Sequence, residues 1–143
     1  MYYIIYASQS RELLSTEELE KLKEQSAFYN QLSMITGVLI YNEGYFLGII
    51  EGKKKFVKQL WNKIQLDSRH REIIKLAESR TNKPYFESWD LISEQKSFEY
   101  KFPEKAILAE YADATPTPFF LQILLNLHAH YLKLHPKAAE FEE

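Results

Sequence analysis

Residues 30–52 read NQLSMITGVLIYNEGYFLGIIEG, and this stretch decides the fold. Residues 35–41 are apolar and largely β-branched, a turn follows at residues 42–44, and a second apolar run occupies residues 45–51. Two such runs around a short turn predict a β-hairpin. Gly48 interrupts the second strand, and a glycine inside a strand often marks a bulge or a close approach of a ligand to the backbone. The hairpin therefore predicts a ligand site at Gly48.

The residues before the hairpin predict a strand and a helix. Residues 2–7 are apolar on both faces, as expected for a strand at the centre of a covered sheet. Ser15-Thr16-Glu17-Glu18 has the pattern of a capping box, in which the first and last side chains bond to the exposed amides of a helix start. The helix is expected to run to about residue 29, with an apolar face of Leu19, Leu22 and Phe28.

The residues after the hairpin predict a second helix and two more strands. The helix is expected to end near residue 67, and its apolar face comprises Phe56, Val57, Leu60, Trp61 and Ile64. Residues 73–77 and 89–92 read as the last strands. The order βαββαββ predicts an α+β, ferredoxin-like sandwich with both helices on one sheet face. This domain is expected to occupy residues 1–95.

Residues 96–143 predict a C-terminal helical extension. A short helix is expected over residues 106–112, and Pro116 and Pro118 introduce a longer one, since proline is tolerated in a first turn. The apolar stripe of the longer helix consists of Phe119, Phe120, Ile123, Leu124, Leu127, Tyr131 and Leu134. A stripe this wide predicts packing on the second sheet face or in a homo-oligomer.

Composition excludes several classes of protein. The chain has 143 residues, a net charge of −2 and no cysteine, which excludes a disulfide framework and gives no basic footprint for nucleic acid. The sequence contains neither a signal peptide nor an apolar run of the ~20 residues that span a bilayer, so cytoplasmic residence is expected. His128, His130 and His135 lack the i,i+4 spacing of paired helical ligands, and no metal site is predicted.

Six short elements resemble, in order and spacing, those of the BLUF family of blue-light sensors that use FAD. They are Tyr6 with Ser8, Asn30, Ile35-Thr36-Gly37, Phe46 with Glu51-Gly52, Asp67-Ser68-Arg69-His70, and Phe86 with Trp89. The likeness covers about residues 1–95. It implies the same ferredoxin-like fold, a flavin cofactor (FAD, with FMN or riboflavin as alternatives), and a stand-alone sensor that signals to a partner protein and is not an enzyme.

The resemblance also implies roles for individual residues. Asn30 is similar to the family residue that hydrogen-bonds the flavin ring, although an asparagine near a helix end is otherwise an ordinary cap. Tyr6 is similar to the tyrosine that faces the flavin and donates an electron to it after excitation; its alternative is a half-buried strand aromatic. Trp89 is similar to a mobile tryptophan beside the flavin, and its alternative is a core aromatic.

A charged group at the end of the second helix is implied to face the ribityl-phosphate side of the flavin. It consists of Lys63, Asp67, Arg69 and His70. Cations there would neutralise a diphosphate. The alternative is a solvated helix terminus with cations near the negative end of the helix dipole.

The sequence departs from the family at two positions. Gly48 stands where members carry the glutamine that acts as the hydrogen-bond switch of the photocycle, and Leu91 stands where methionine is common. Glycine has no side-chain donor or acceptor, so the photocycle is expected to be impaired. The missing amide is expected to leave space for water beside the flavin. Two alternatives remain: a light-insensitive flavin-binding interaction module, and a flavin-dependent redox enzyme.

Overall fold

A computed structural model describes residues 1–93, which form one five-stranded sheet and two helices. In chain order they are β1 (Tyr2–Ser10), α1 (Thr16–Leu32), β2 (Thr36–Asn42), β3 (Tyr45–Gly52), α2 (Lys54–Leu66), β4 (His70–Arg80) and β5 (Trp89–Ile92). The strand order in the sheet is β4-β1-β3-β2-β5, and β5 is parallel to β2 whereas the other neighbours are antiparallel. The predicted α+β, ferredoxin-like βαββαββ order is confirmed. The C-terminal helices predicted within residues 96–143 lie outside the described residues.

The capping box at the start of α1 is present as predicted. The Ser15 hydroxyl accepts a hydrogen bond from the Glu18 amide at 3.1 Å, and the Glu18 carboxylate accepts one from the Ser15 amide at 3.2 Å. The helix ends at Leu32, later than expected. The placement of Phe28 on the apolar face was wrong, because its side chain is 68% exposed. Phe28 lies six residues after Leu22, and at ~3.6 residues per turn this spacing rotates it away from the buried stripe.

The hairpin of β2 and β3 has a two-residue turn. Glu43 and Gly44 both have positive φ, at 49° and 87°, and Asn42 pairs with Tyr45 across the turn. Positive φ at both central residues is the type I′ geometry, whose twist matches that of the flanking strands. The turn chemistry therefore sets the register that brings Gly48 opposite Leu39.

The sheet has an apolar side chain layer on each face. On the helix face, α1 and α2 pack against the sheet through a cluster that includes Ile4, Tyr6, Leu19, Leu22, Leu39, Phe46, Ile50, Val57, Leu60, Trp61 and Leu91. The second face carries a separate buried cluster that includes Tyr3, Ile5, Val38, Ile40, Leu47, Ile49, Phe86 and Ile92. Neither α1 nor α2 contributes to the second cluster, so within residues 1–93 both helices lie on one face.

The connection that leads into β5 is attached to the sheet by a buried carboxylate. Glu51 is fully buried and accepts hydrogen bonds from the Thr36 hydroxyl at 2.8 Å and from the amides of Tyr85 at 3.0 Å and Phe86 at 2.8 Å. Burial raises the pKa of Glu51, and these hydrogen bonds oppose the rise. β5 has the predicted bounds, whereas β4 extends beyond the predicted 73–77 at both ends. No helix within residues 1–93 has the length and apolar character needed to cross a membrane.

Candidate functional site

A cavity of about 280 Å³ opens between α1, α2 and the helix face of the sheet. Its lining residues are Tyr6, Leu22, Gln25, Ser26, Tyr29, Asn30, Leu39, Phe46, Ile50, Leu60, Lys63, Ile64, Asp67, Arg69, His70 and Trp89. The walls are apolar and aromatic, whereas several polar and charged groups converge at one end. A concave apolar site with a few placed polar groups is the usual form of a small-molecule or cofactor site.

Asn30 lies in the last turn of α1 and presents an unpaired acceptor. The residue is 2% exposed, and its Oδ1 is buried without a hydrogen-bond partner among the described residues. Asn30 is not the helix cap, because Ser33 occupies the C-cap position and its amide bonds to the Tyr29 carbonyl. A buried acceptor without a partner costs about 1–3 kcal/mol. A ligand N–H in the cavity would satisfy this oxygen.

Tyr6 forms part of the cavity wall from β1. It is 5% exposed, and its cross-strand neighbours are Gly48 on β3 and Lys75 on β4. Burial is the main cause that raises the pKa of the Tyr6 hydroxyl, and the negative charge of Asp67 adds to the rise. The phenol is therefore held in its protonated form.

Gly48 is covered by its two cross-strand neighbours. A Cβ built at this position would lie 3.0 Å from Leu39 Cδ1 and 3.1 Å from Tyr6 Cε1 and Cζ. Tyr6 and Leu39 line the cavity, whereas Gly48 does not. Tyr6 and Leu39 therefore occupy the position at which a longer side chain would begin. The space for water that is expected beside the bound flavin stays a prediction.

The charged group at the end of α2 has internal partners. Arg69 forms a bidentate pair with Asp67, with Nε to Oδ1 at 3.0 Å and Nη2 to Oδ2 at 2.5 Å. The hydrogen bond from Arg69 is the main cause that lowers the pKa of Asp67. The Lys63 ammonium lies 3.7 Å from the centroid of the Tyr29 ring, a cation–π contact that joins α2 to α1.

His70 is the first residue of β4 and has partners at both ring nitrogens. Nε2 lies 2.5 Å from the Ile64 carbonyl oxygen, and Nδ1 lies 2.8 Å from the Ser8 hydroxyl. A carbonyl can only accept, so Nε2 carries a proton and, in the neutral ring, Nδ1 accepts the hydrogen bond from Ser8. The imidazole thereby joins β1, the last turn of α2 and β4 at the charged end of the cavity.

Trp89 begins β5 beside Gly37 of β2 and borders the cavity. The structure thus brings seven of the eight sequence-predicted site residues to one cavity: Tyr6, Asn30, Lys63, Asp67, Arg69, His70 and Trp89. Gln25, Ser26 and Tyr29 also line it and were missed. Together with Leu22 and Asn30 they follow the i, i+3, i+4, i+7, i+8 spacing of one helix face, a signal that polar residues obscured.

The lining fits a flavin. Apolar side chains form the walls that a planar ring system needs, Asn30 provides an acceptor for a ring N–H, and cations lie at one end for a phosphate. The fold and cavity define a class of protein: an α+β sandwich with a cavity for a small-molecule ligand between its two helices and the sheet.

Comparison with known proteins identifies the family. A family model described as BLUF, sensors of blue-light using FAD, matches residues 1–92. The chain belongs to this family, whose members bind FAD. It is 34% identical over 71 residues to photoactivated adenylate cyclase subunit alpha of Euglena gracilis, covering 50% of this chain and 7% of that protein. It is 32% identical over 76 residues to the blue light- and temperature-regulated antirepressor BluF of Escherichia coli (strain K12), covering 51% of this chain and 18% of that protein.

Solved structures agree with this assignment. A bacterial light-regulated adenylyl cyclase matches with a TM-score of 0.63 and 27% identity, over 92% of this chain and 36% of that one. BlrB, described as a BLUF protein in its dark state, matches with a TM-score of 0.68 over 90% of this chain and 95% of that one. At 20% identity, BlrB supports the fold alone. The chain spans less than a fifth of the length of the two sequence relatives above.

Proposed function

We propose that this chain is a flavin-binding BLUF signalling domain whose blue-light photocycle is impaired because Gly48 replaces the switch glutamine. The observation that carries the proposal is the packing of Tyr6 and Leu39 over Gly48, which fills the place where a longer side chain would begin. Flavin binding and the light switch are thereby separated in one chain. The polar groups that line the cavity are present, whereas the glutamine side chain that would relay a hydrogen-bond change is absent at Gly48.

In the proposed complex, this chain's residues bind and orient the flavin. Asn30 accepts a hydrogen bond from the ring edge with the oxygen that is otherwise unpaired. Tyr6 and Trp89 flank the ring, and apolar side chains of α2 exclude water. The bound flavin supplies the absorption of blue light and one-electron chemistry.

The charged end of the cavity is proposed to take the ribityl-phosphate side. Lys63 borders the cavity with its ammonium on the Tyr29 ring, so it can contact a phosphate without first breaking a pair with a carboxylate. Arg69 is oriented by Asp67, which leaves a reduced net charge for the phosphate. Lys63 is therefore the main phosphate-binding cation in this proposal.

The signal is proposed to leave the domain through protein contacts. Relatives of the chain are named as a photoactivated adenylate cyclase subunit and as a blue light- and temperature-regulated antirepressor. A partner protein, and association with further copies of the chain, fit this pattern. The chain itself is proposed to be a sensor and not an enzyme, and to reside in the cytoplasm.

Absorption spectra of the purified protein, recorded dark and then under blue light, test this proposal. We expect the two flavin bands but no reversible red shift. Gly48→Gln should restore the shift, most readily together with Leu39→Val, which removes the Cδ1 atom that a Cβ at position 48 would meet. Gly48→Ala is the matched control, because it adds the Cβ without an amide and should not restore the shift. Tyr6→Phe in the Gly48→Gln protein should abolish it again.

Two outcomes would contradict the proposal. Absence of flavin after purification from a flavin-replete host would show that the chain does not bind the cofactor. A stable red shift in the unsubstituted chain would require a switch other than the glutamine. A light-insensitive interaction module is favoured if flavin is bound and neither Gly48→Gln protein responds. Reduction of the bound flavin by NADH in the dark would instead indicate a redox enzyme.

A further inference from the structure

A buried tryptophan on α2 packs directly against Tyr6. The ring centroids of Tyr6 and Trp61 are 5.4 Å apart with an interplanar angle of 58°, and Trp61 is 7% exposed. The neighbouring α2 residues Leu60 and Ile64 line the cavity, whereas Trp61 lies behind the Tyr6 ring. The cavity, Tyr6 and Trp61 therefore follow one another in space.

The position of Tyr6 in this series depends on Gly48. Lys75, Tyr6, Gly48 and Leu39 are cross-strand neighbours that form one row across β4, β1, β3 and β2. Because Gly48 carries no side chain, the Tyr6 ring lies only 3.1 Å from the position that a Cβ would occupy, closer than ordinary van der Waals contact. Among the described residues, no hydrogen bond contributes to the shifted acidity of the Tyr6 phenol, since burial and the charge of Asp67 account for it.

We propose that Trp61 is a second electron donor in this chain, acting through Tyr6 when the bound flavin is excited by light. The inference rests on the flavin binding proposed above. Tyr6 loses one electron to the excited flavin and regains one electron from Trp61, so the Trp61 indole is left oxidised by one electron. The phenol and indole protons stay in place, no bond breaks, and return of the electron from the flavin to Trp61 restores the starting state.

The direction of transfer follows from the proton that the oxidised phenol keeps, since no hydrogen bond from the described residues contributes to the raised pKa of Tyr6. An oxidised phenol that keeps its proton is a stronger oxidant than an indole radical cation, so the electron moves from Trp61 to Tyr6. Transfer rates fall steeply with distance, and the two rings are adjacent. The Lys75 ammonium lies 6.0 Å from the Trp61 ring and would disfavour positive charge there, but the Glu78 carboxylate lies 2.9 Å from that ammonium and offsets it.

Transient absorption of the flavin-loaded chain tests the inference. After a blue pulse we expect the visible absorption band of an oxidised indole, formed while the flavin is reduced by one electron. Trp61→Phe should abolish this band, because phenylalanine keeps an aromatic ring in the core but is not oxidised under these conditions. Tyr3→Phe, a conservative change in the cluster on the other sheet face, is the matched control and should leave the band in place. In a Trp89→Phe background Trp61 is the one remaining tryptophan of the sequence, so an indole band seen there is assigned to Trp61. Tyr6→Phe should slow the appearance of the band.

Each result separates the inference from a packing role. Flavin content and melting temperature report whether Trp61→Phe disturbs the fold. The indole band reports the oxidation of a tryptophan, which a packing role alone would not cause. An indole band that persists in Trp61→Phe, or flavin reduction without any indole band in the unsubstituted chain, would overturn the inference while leaving flavin binding intact. A chain that retains no flavin would overturn the proposed function and, with it, this role for Trp61.

Discussion

Within residues 1–93, the side chain of Asn30 points most directly to a ligand. Its Oδ1 is buried and unpaired, although the residue sits in a well-formed helix whose cap is another residue. Native proteins pair most buried polar atoms, so an exception calls for a partner. The sequence suggested either a cap or a ligand contact, and the position of Ser33 at the C-cap removes the first interpretation.

Replacement of this side chain should weaken flavin binding without a matching loss of stability. Asn30→Ala is expected to reduce flavin affinity by about 1–3 kcal/mol, because a polar edge of the ring is left unpaired. The flavin-free protein loses no hydrogen bond to Oδ1, so its urea midpoint should change little. Titration of riboflavin or FAD into both proteins measures the affinity. Gln25→Ala, on the same cavity wall, is the control, and equal affinities for Asn30→Ala and the unsubstituted chain would contradict the assignment.

At the scale of elements, β5 owes its attachment to Glu51 as well as to β2. Two loop amides and one hydroxyl converge on this carboxylate, and the loop leads within a few residues to Trp89. A carboxylate suits three donors because it is an acceptor at both oxygens. A glutamine amide at this position would place its own N–H group against one of the three donors.

Glu51→Gln should therefore loosen the connection before β5. We expect the Tyr85 amide to lose its acceptor at about 1–3 kcal/mol, which corresponds to amide hydrogen exchange faster by about 5- to 150-fold. Thr36→Val is the matched control, because it removes the hydroxyl donor and leaves both loop amides paired. Unchanged exchange at Tyr85 in Glu51→Gln would show that the loop is held by other contacts.

The pairing of β1 with β4 contributes acid sensitivity to the fold. Hydrogen bonds from Tyr2 and then Lys75 lower the pKa of Glu78 to about 2. The folded pKa lies below the unfolded one, so this carboxylate stabilises the fold above about pH 4 and the contribution is lost as pH falls towards 2. Tyr2→Phe should make the loss of stability over this range shallower in urea unfolding. Tyr3→Phe, the adjacent residue on the other face, is the control, and identical pH profiles for Tyr2→Phe and the unsubstituted chain would contradict the prediction.

At the scale of the whole molecule, the second sheet face is apolar although α1 and α2 both pack on the other face. We propose that the domain of residues 1–95 is completed by the helical extension of residues 96–143, packed on this face or in a homo-oligomer. The wide apolar stripe that the sequence predicts for the extension has the character such a face requires.

Truncation after Phe102 should expose this face and cause aggregation. Light scattering and size-exclusion chromatography of the truncated and full chains measure the effect, and a full chain with Leu124→Asp and Leu127→Asp tests the stripe without shortening the chain. A truncated protein that is soluble and monomeric would contradict both arrangements of the extension.

The sequence by itself determined the order of the elements and the local structures that begin or reverse them. The capping box at Ser15, the hairpin turn at Glu43 and Gly44, and the bounds of β5 all follow from residues close together in the chain. Such features depend on turn chemistry, capping and hydrophobic period, which a single segment displays. The family resemblance predicted cavity residues that these local rules could not identify.

The tertiary structure alone decided how distant residues share space. It showed that Tyr6 and Leu39 occupy the volume beside Gly48, that Asp67 holds Arg69, and that Phe28 faces outward. These outcomes depend on packing between segments far apart in the chain. Because protein interiors are close-packed, the space left by a small residue is filled by neighbouring side chains. No local sequence pattern predicts which side chains fill the space beside Gly48, because they come together only when β1, β3 and β2 pair in register.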